Sequence, residues 1–369
     1  MGHLDFIFAL LISFSVCLIA TPIFGWLAKK LGIVDNPDAV RKIHKRPIPL
    51  LGGLAVFISF NFVVLLYIFY SDALNGQVLW LKNILGVCVG TAILAIGGFL
   101  DDKYNLKARY QLVFPILAIV AVIVSGIGID FVQNPFGSGM IRLDQYQKIL
   151  FWYDGFPYKI TLLADLFTFI WLFALTYTTK IYDGLDGLVS GTTVIGAFFI
   201  FFTALNKMDF AQTDVAMLAM IVSGAFLGFL VYNFNPATIF LGESGSTIAG
   251  FLLGVLSIAS GSKVGVTLLI LSIPVIDLIW TVIRRLMERK SFSEPDRKHL
   301  HHRLLDAGFS VKQAVLILYT VVLVFGVAAY FLQDLHLTFA VAGGFALMVF
   351  MMLTAYLYRA KKLREKALT

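Results

Sequence analysis

The stretch 177–191, YTTKIYDGLDGLVSG, places two carboxylates, Asp183 and Asp186, where one very hydrophobic segment ends and the next begins. If the stretch is helical, a spacing of three residues puts both acids on one face. Carboxylates beside hydrocarbon are costly unless they bind a cation or a polar ligand. The stretch therefore indicates either a functional site at a membrane surface or a polar turn between two spans, which also favours Asp and Gly.

The composition of the whole chain is that of an integral membrane protein. Apolar residues make up 59% of the 369 residues, and the mean hydropathy is +0.87. These values exclude an ordinary soluble domain. Cys17 and Cys88 lie inside apolar segments, so they indicate neither a disulfide nor a metal site. The first apolar segment follows His3 and Asp5 rather than a basic region, and we interpret it as a membrane helix.

Apolar segments of span length recur along the chain and predict an all-α polytopic membrane protein with about eleven transmembrane helices. The predicted spans are residues 5–28, 50–70, 80–100, 111–127, 161–180, 187–206, 214–232, 246–261, 264–286, 312–332 and 337–358. Because no internal repeat or separate soluble segment is visible, we predict one domain over residues 1–369. The connection 128–160 is rich in aromatic residues, proline and glycine, which indicates an interfacial segment with a short hairpin.

The basic residues indicate on which side of the membrane each connection lies. All but six of the 29 lysines and arginines fall on one side. The six are Lys82, Arg142, Lys148, Lys159, Lys207 and Lys263. By the positive-inside rule the basic side is cytoplasmic, which puts the N-terminus outside and the C-terminus in the cytoplasm. The net charge of +7 therefore reflects topology rather than nucleic-acid binding.

Further acids and several histidines fall on this predicted cytoplasmic face, together with Asp183 and Asp186. They are Asp101 and Asp102 at the end of the third span, Glu243, Asp277, which lies deepest, and His299, His301 and His302. Carboxylates can hold Mg²⁺, with Mn²⁺ as an alternative, while Lys, Arg and His neutralise the remaining phosphate charge. A groove within the membrane could then take a lipid tail. The pattern favours a substrate that is half lipid and half phosphate.

Each of these residues also has a structural alternative. Asp101 and Asp102 could form an interfacial helix end, although a helix C-terminus repels acids. Glu243 could belong to a serine-capped helix N-terminus. Asp277 could pair with a nearby arginine, and it is the residue that best fits an ion-coupled transporter. The histidines, with Arg297 beside them, could form a solvated basic loop rather than a site for a polyanion.

Five sequence blocks occur in an order that is typical of one enzyme family. They are RPIPLLGGLA (46–55), GGFLDDKYNL (97–106), YDGLDGLVSG (182–191), NFNPATIFLGESGS (233–246) and PDRKHLHHRLLDAGFS (295–310). Over nearly its full length the chain resembles the polyprenyl-phosphate N-acetylhexosamine-1-phosphate transferases, in particular the WecA/TagO-like branch, which is related to the MraY-type enzymes of peptidoglycan synthesis. The resemblance implies an integral-membrane transferase with its active site on the cytoplasmic face of the bacterial cytoplasmic membrane.

The resemblance implies a reaction that moves an N-acetylhexosamine-1-phosphate from a UDP-sugar to undecaprenyl or another polyprenyl phosphate and releases UMP. The implied cofactor is Mg²⁺. The implied partners are the UDP-N-acetyl sugar, the polyprenyl phosphate and the bilayer, with a homodimer by analogy and no nucleic acid. An aspartate would either deprotonate the lipid phosphate for direct attack or form a covalent phospho-sugar intermediate. The His-x-His-His motif is similar to that of members that use UDP-GlcNAc, whereas the alternative, phospho-N-acetylmuramoyl-pentapeptide transferases, tend to have three adjacent histidines.

The resemblance also implies roles for the residues that match the family's motifs. The implied catalytic residues are Asp101, Asp102, Asp183 and Asp186, and the implied metal ligands are Asp102 and Glu243. The implied substrate-binding residues are Lys45, Lys180, Gly184, Leu185, Asn233, Phe240, Arg297, His299, His301 and His302. Two residues depart from the family pattern, since Lys180 stands where Asn is usual and Glu243 where Asp is usual. The lysine could pair with the aspartates or with a phosphate.

Overall fold

The computed structural model describes residues 3–37, 46–74, 78–133, 139–153, 156–206, 211–261, 264–288, 299–332, 343, 349–351, 353–354 and 356–358. Lys45 and Arg297, which the resemblance places in the substrate site, lie outside these residues. The described chain is mainly helical, and its connections contain three two-stranded antiparallel sheets.

The regular structure of the described residues comprises thirteen α-helices, one short 3₁₀ helix at Asp72–Leu74, six strands, and further helical residues between 349 and 358. In chain order the helices are α1 (His3–Leu31), α2 (Gly52–Tyr70), α3 (Leu81–Tyr104), α4 (Ala108–Gln111), α5 (Val113–Ser125), α6 (Leu162–Tyr182), α7 (Leu188–Leu205), α8 (Thr213–Asn233), α9 (Gly242–Ala259), α10 (Val264–Ile270), α11 (Ser272–Glu288), α12 (Leu300–Asp306) and α13 (Val311–Leu332). The strands are β1 (Val34–Asp35), β2 (Ile48–Pro49), β3 (Phe131–Gln133), β4 (Met140–Arg142), β5 (Gln147–Tyr153) and β6 (Phe156–Thr161).

Nine helical segments in the described ranges are long and apolar enough to cross a membrane. They are α1, α2, α3, α4 with α5, α6, α7, α8, α9 and α13. The polytopic helical fold is thereby confirmed, while the count of eleven spans and the orientation stay predictions. The predicted final span, 337–358, lies largely outside the described residues.

The prediction of one continuous helix over 264–286 is wrong. The chain forms two helices instead, with α10 ending at Ile270 and α11 beginning at Ser272. Pro274 lies in the first turn of α11 and has no N–H to donate to the carbonyl four residues earlier, which is a common reason for a helix to break. Composition alone did not reveal the break because every residue around it is compatible with a membrane span.

The centre of the bundle is formed by α8 and α9, in which most side chains are buried. Gly224 and Gly228 of α8 let α1 approach closely. An added Cβ would lie 2.4 Å from the carbonyl oxygen of Leu10 at Gly224, and 2.4 Å from that of Phe14 at Gly228. Small residues four positions apart allow this kind of contact between membrane helices.

The connection 128–160 contains two hairpins, β3–β4 and β5–β6, which confirms the predicted hairpin and corrects the all-α prediction for this segment. Ile149, Phe151 and Trp152 of β5 are exposed. Exposed aromatic and aliphatic side chains are typical of the membrane–water interface.

Short backbone contacts join several helix ends at the opposite end of the bundle. Strand β1 pairs with β2, with Val34 opposite Pro49. The Pro49 carbonyl accepts the N–H of Phe240 at 2.8 Å, and the Phe240 carbonyl accepts the N–H of Gly52 at 3.0 Å. These bonds bring the segment before α2 against the connection between α8 and α9.

Candidate active site

A cleft of about 910 Å³ opens where these helix ends meet. It is lined by the segment before α2, the loop 183–186 between α6 and α7, and the segment 233–242 between α8 and α9. Lys29, Arg46 and His302 also line it. A concave space of this size with both polar and apolar walls is typical of a site for a small molecule.

The two aspartates of the loop 183–186 have different surroundings. The loop separates α6 from α7, so the helical spacing considered from the sequence does not occur. Asp183 is exposed and lines the cleft. Asp186 Oδ2 instead accepts hydrogen bonds from Asn235 Nδ2 at 2.7 Å and from the N–H of Ala237 at 3.0 Å. Asp186 therefore fixes one wall of the cleft against another.

The pKa of Asp183 is raised although its side chain is exposed within the cleft. Protein atoms on several sides replace much of the bulk solvent there, and this desolvation, with the charges of Glu243 and Asp186, raises the pKa of Asp183 to about 7. A carboxyl group with such a pKa can take up or release a proton near neutral pH.

Asn233 holds the two cleft loops together rather than offering a free amide. Its Oδ1 accepts the N–H of Gly187 at 3.1 Å and the hydroxyl of Ser190 at 2.7 Å. Its Nδ2 donates to the Ile239 carbonyl at 3.0 Å. Asn233 and Phe240, which the resemblance assigns to substrate binding, both line the cleft. The ring of Phe240 provides an apolar surface on which a flat base could stack.

Beside the cleft, a series of polar contacts runs from Asp101 through Gln111, Lys180 and Glu243 back to the neighbouring Asp102, and we name these five residues the acidic ring. Asp101 Oδ1 accepts the N–H of Leu106 at 2.8 Å and the Nε2 of Gln111 at 3.0 Å. Gln111 Oε1 accepts from Lys180 Nζ at 3.0 Å. The acidic ring comprises Asp101, Asp102, Gln111, Lys180 and Glu243.

Lys180 and Glu243 complete the acidic ring. Lys180 Nζ forms an ion pair with Glu243 Oε1 at 2.5 Å, and both side chains are largely buried. The N–H of Glu243 donates to both oxygens of Asp102, at 3.1 and 3.2 Å. Gly242, which lines the cleft, is so close to Asp102 that an added Cβ would lie 2.6 Å from Oδ2. The acidic ring therefore borders the cleft across Gly242.

Two glycines allow the acidic ring to form, because they let three helices meet without side chains between them. An added Cβ at Gly53 of α2 would lie 2.1 Å from the backbone nitrogen of Gly245. An added Cβ at Gly98 of α3 would lie 2.2 Å from the backbone nitrogen of Ser244. Real Cβ atoms are not found this close to backbone atoms. The packing of α2 and α3 against the first turn of α9 therefore requires glycine at positions 53 and 98.

The histidine motif is buried behind the aspartate loop. His299 and His301 are 7% and 1% exposed, so the solvated-loop alternative is wrong for both. His299 Nδ1 lies 2.9 Å from Asp277 Oδ2, and Asp277 Oδ1 accepts the N–H of Leu300 at 3.2 Å. The rings of His299 and His301 stack at 5.7 Å between centroids. Of the three histidines, His302 lines the cleft.

His301 supports the aspartate loop from behind. An added Cβ at Gly184 would lie 2.2 Å from His301 Nε2, so the ring occupies the space a side chain would need. Burial, with the nearby His302 and His299, holds the pKa of His301 well below its usual range. The imidazole is therefore neutral at pH 7 and shapes the loop, whereas a cation for phosphate was the expectation from the sequence.

Among the residues described, no three His, Cys, Asp or Glu side chains are grouped so that they could hold a metal ion. Asp102 and Glu243 nevertheless lie in one polar cluster of hard oxygen donors, the kind that Mg²⁺ prefers. The ammonium of Lys180 against Glu243 shows that this cluster holds positive charge.

The structure thus gathers the predicted residues into two adjoining groups. Asp183, Gly184, Leu185, Asp186, Asn233, Phe240 and His302 line the cleft. Asp101, Asp102, Lys180 and Glu243 lie in the acidic ring. The sequence prediction left Gln111, Asn235 and Asp277 out of the site. The position of Asp277 deep in its predicted span already indicated that it needs a partner. Nothing in the sequence singled out Gln111 or Asn235.

Comparison with known proteins gives consistent matches. Residues 84–261 match the family model described as glycosyl transferase family 4. A Bacillus subtilis protein named as a probable undecaprenyl-phosphate N-acetylglucosaminyl 1-phosphate transferase is 31% identical over 353 residues, which are 94% of this chain and 90% of the relative. A Mycolicibacterium smegmatis decaprenyl-phosphate N-acetylglucosaminephosphotransferase is 30% identical, over 90% of this chain and 84% of its own. A Yersinia pestis undecaprenyl-phosphate alpha-N-acetylglucosaminyl 1-phosphate transferase is 29% identical, over 85% and 80%.

Proposed function

Because the chain belongs to the glycosyl transferase family 4 of polyprenyl-phosphate N-acetylhexosamine-1-phosphate transferases, we propose that it transfers N-acetylglucosamine-1-phosphate from UDP-N-acetylglucosamine to a polyprenyl phosphate. The three relatives act on undecaprenyl or decaprenyl phosphate and carry N-acetylglucosamine in their names. The donor nucleotide is our proposal, and it would make UMP the second product.

The observation that carries this function is the position of the acidic ring beside the cleft at one end of an apolar helix bundle. A polyprenyl phosphate needs its tail in the membrane and its phosphate at the surface, while a nucleotide sugar comes from water. The cleft offers Phe240 and the loop 183–186 to the nucleotide. The acidic ring lies across Gly242, where the two phosphates would meet.

In net terms, an oxygen of the lipid phosphate forms a bond to the β-phosphorus of the nucleotide sugar. The bond from that phosphorus to the bridging oxygen breaks, and UMP leaves with this oxygen. Asp102 borders the place of reaction, and we assign it the role of orienting or deprotonating the lipid phosphate. Asp186 and Asn233 hold the walls of the nucleotide site, which keeps the two reactants aligned.

We also propose Mg²⁺ as the cofactor, with Mn²⁺ as a substitute. Asp102 and Glu243 would hold it, since they supply hard oxygen donors and the ammonium of Lys180 already places positive charge against Glu243. When bound, the metal would neutralise charge on the diphosphate. The basic side chains of Lys29, Arg46 and His302 along the cleft would balance the remaining phosphate charge.

The protein is a multi-pass membrane protein, and we propose the bacterial cytoplasmic membrane as its location, with the cleft on the cytoplasmic side. This orientation agrees with the excess of basic residues on that side and with a donor made in the cytoplasm. A homodimer is proposed by family analogy alone. The transporter alternative lacks support, because the polar groups lie at one end of the bundle rather than near its middle.

The test is UMP release by purified protein in detergent with undecaprenyl phosphate and Mg²⁺. UDP-GlcNAc, UDP-GalNAc and UDP-MurNAc-pentapeptide would be supplied in parallel. We expect release from UDP-GlcNAc that requires the lipid and stops with a chelator. Release from the pentapeptide substrate alone would support the peptidoglycan alternative, and release without lipid would contradict the proposed acceptor.

A further inference from the structure

Lys180 and Glu243 lie 63 positions apart in the chain, yet they contact each other in the folded protein. Lys180 projects from the last turn of α6, and Glu243 lies in the first turn of α9. The contact therefore joins a cation on one helix to a carboxylate on another, within the acidic ring.

The ammonium of Lys180 lies where a cation would bind to the acidic ring. It contacts Glu243 Oε1 on one side and Gln111 Oε1 at 3.0 Å on the other. Gln111 in turn donates to Asp101, so the positive charge is linked to Asp101 through Gln111 and contacts Glu243 directly. Both members of the ion pair have only about a fifth of their side-chain surface exposed, so solvent screens the pair weakly.

A small pocket lies against the carboxylate that Lys180 contacts. Asp101, Gln111 and Glu243 line this pocket together with Phe114, Thr247 and other residues, and its volume is only about 10 Å³, roughly the size of one water molecule. Mg²⁺ gives up its waters reluctantly and usually keeps several of them. A hydrated divalent cation does not fit this pocket, and to bind Glu243 Oε1 it would have to displace the ammonium of Lys180.

We infer that Lys180 is a displaceable internal cation, which occupies Glu243 in the metal-free enzyme and competes with the divalent cation for it. This inference rests on the proposed function for the identity of the site. Lys180 is thus a positioning residue that sets the metal affinity of the resting enzyme. When a divalent cation takes Glu243, the released ammonium lies at the edge of the site, where the diphosphate of the donor can accept it.

The test measures Mn²⁺ binding to the substrate-free protein by electron paramagnetic resonance of the free ion, so no turnover is needed. Lys180→Met keeps the length of the side chain and removes its charge. We expect Mn²⁺ to bind about tenfold or more tightly to this variant, because a unit charge at ion-pair distance acts strongly in a partly buried site. Lys180→Arg should stay close to the parent protein.

Two controls test whether the change in Mn²⁺ affinity is specific to the charge of Lys180 and whether it requires the carboxylate of Glu243. Lys107→Met removes a charge from an exposed position close to α4 and should leave Mn²⁺ binding unchanged. In a Glu243→Gln background, Lys180→Met should give no tightening, since the contested carboxylate is gone. If Lys180→Met does not yield folded protein, Lys180→Gln is measured in the same way with the same expectations.

Equal Mn²⁺ affinity in the parent protein and in folded Lys180→Met would overturn the inference, and so would a tightening that persists with Glu243→Gln. Either result would leave the ion pair as a structural contact between α6 and α9. Neither result bears on whether the enzyme transfers a sugar phosphate, because the measurement contains no substrate.

Discussion

Asp102 receives the N–H of Glu243 on both of its oxygens, and Asp186 receives two donors from the segment 235–237. Each carboxylate is thus held by backbone or amide donors that a neutral amide side chain could only partly satisfy. Charge at these positions is expected to matter more for the reaction than for the fold, because Asp186 lines the cleft and Asp102 borders it across Gly242.

We therefore expect Asp102→Asn, Asp186→Asn and Glu243→Gln each to reduce UMP release by about a hundredfold or more, as is usual when a charged group that acts on the transition state is removed. Thermal unfolding in detergent should show that the variants stay folded. Asp144→Asn, in the distant hairpin segment, is the matched control and should keep full activity. Full activity in two of the three site variants would contradict the assignment.

His301 gives a prediction about stability, because its folded pKa lies well below the usual value of 6.5. Below about pH 6.5 the unfolded chain binds a proton at this position that the folded protein does not. The free energy of unfolding should therefore rise with pH up to about 6.5 and then level off for this group. The groups that face the ring are His299, His302, Tyr182 and Gly184.

The measurement is the melting temperature of purified protein between pH 5 and pH 8. We expect His301→Asn to show a shallower loss of stability on acidification than the parent protein. His302→Asn, which changes a histidine that lines the cleft, should keep most of the parent's slope. An unchanged slope in His301→Asn would show that the buried ring is not the group that titrates.

At the scale of helices, the site depends on the close approach of α2 and α3 to the first turn of α9. Gly53→Ala and Gly98→Ala would each place a methyl group against backbone atoms of that turn. We expect each to lower stability by about 1–3 kcal/mol, as overpacking does, and to reduce UMP release because the acidic ring is displaced. Both effects are measured on purified protein.

Gly25→Ala in α1 is the matched control for these variants. The nearest atom to an added Cβ there is Ile239 Cδ1 at 3.6 Å, an ordinary contact. It should be neutral or slightly stabilising, since alanine favours a helix more than glycine does. If Gly53→Ala and Gly98→Ala behave like Gly25→Ala, α2 and α3 do not pack closely against α9.

The helices themselves could largely be predicted from sequence, because long apolar segments have few alternatives in a membrane. The break before Pro274 could not, since proline is tolerated inside membrane helices. The sequence predicts a set of site residues but none of the contacts between them. Nothing in the spacing of Lys180, Gln111 and Glu243 indicates that they meet, because they belong to three separate helices. Their contact depends on the tertiary packing that Gly53 and Gly98 permit.

For the molecule as a whole, the distribution of basic residues predicts that the cleft faces the cytoplasm and the hairpins face outward. In a background with Cys17 and Cys88 replaced by alanine, a cysteine at exposed Tyr146 should react with an impermeant maleimide on intact cells. A cysteine at exposed Lys107 should react only in inside-out vesicles. The reverse labelling pattern would show that the protein has the opposite orientation, with the cleft on the side of the membrane away from a cytoplasmic donor.

The fate of the β-phosphate distinguishes transfer of a sugar phosphate from transfer of the sugar alone. Purified protein would be given undecaprenyl phosphate and UDP-GlcNAc labelled with ³²P at the β-phosphate, and the lipid and water phases would be separated. We expect the label to enter the lipid phase together with the sugar and the released nucleotide to be unlabelled UMP. Label that remains in water as UDP while the sugar moves to the lipid would show transfer of the sugar alone, and the proposed reaction would then be wrong.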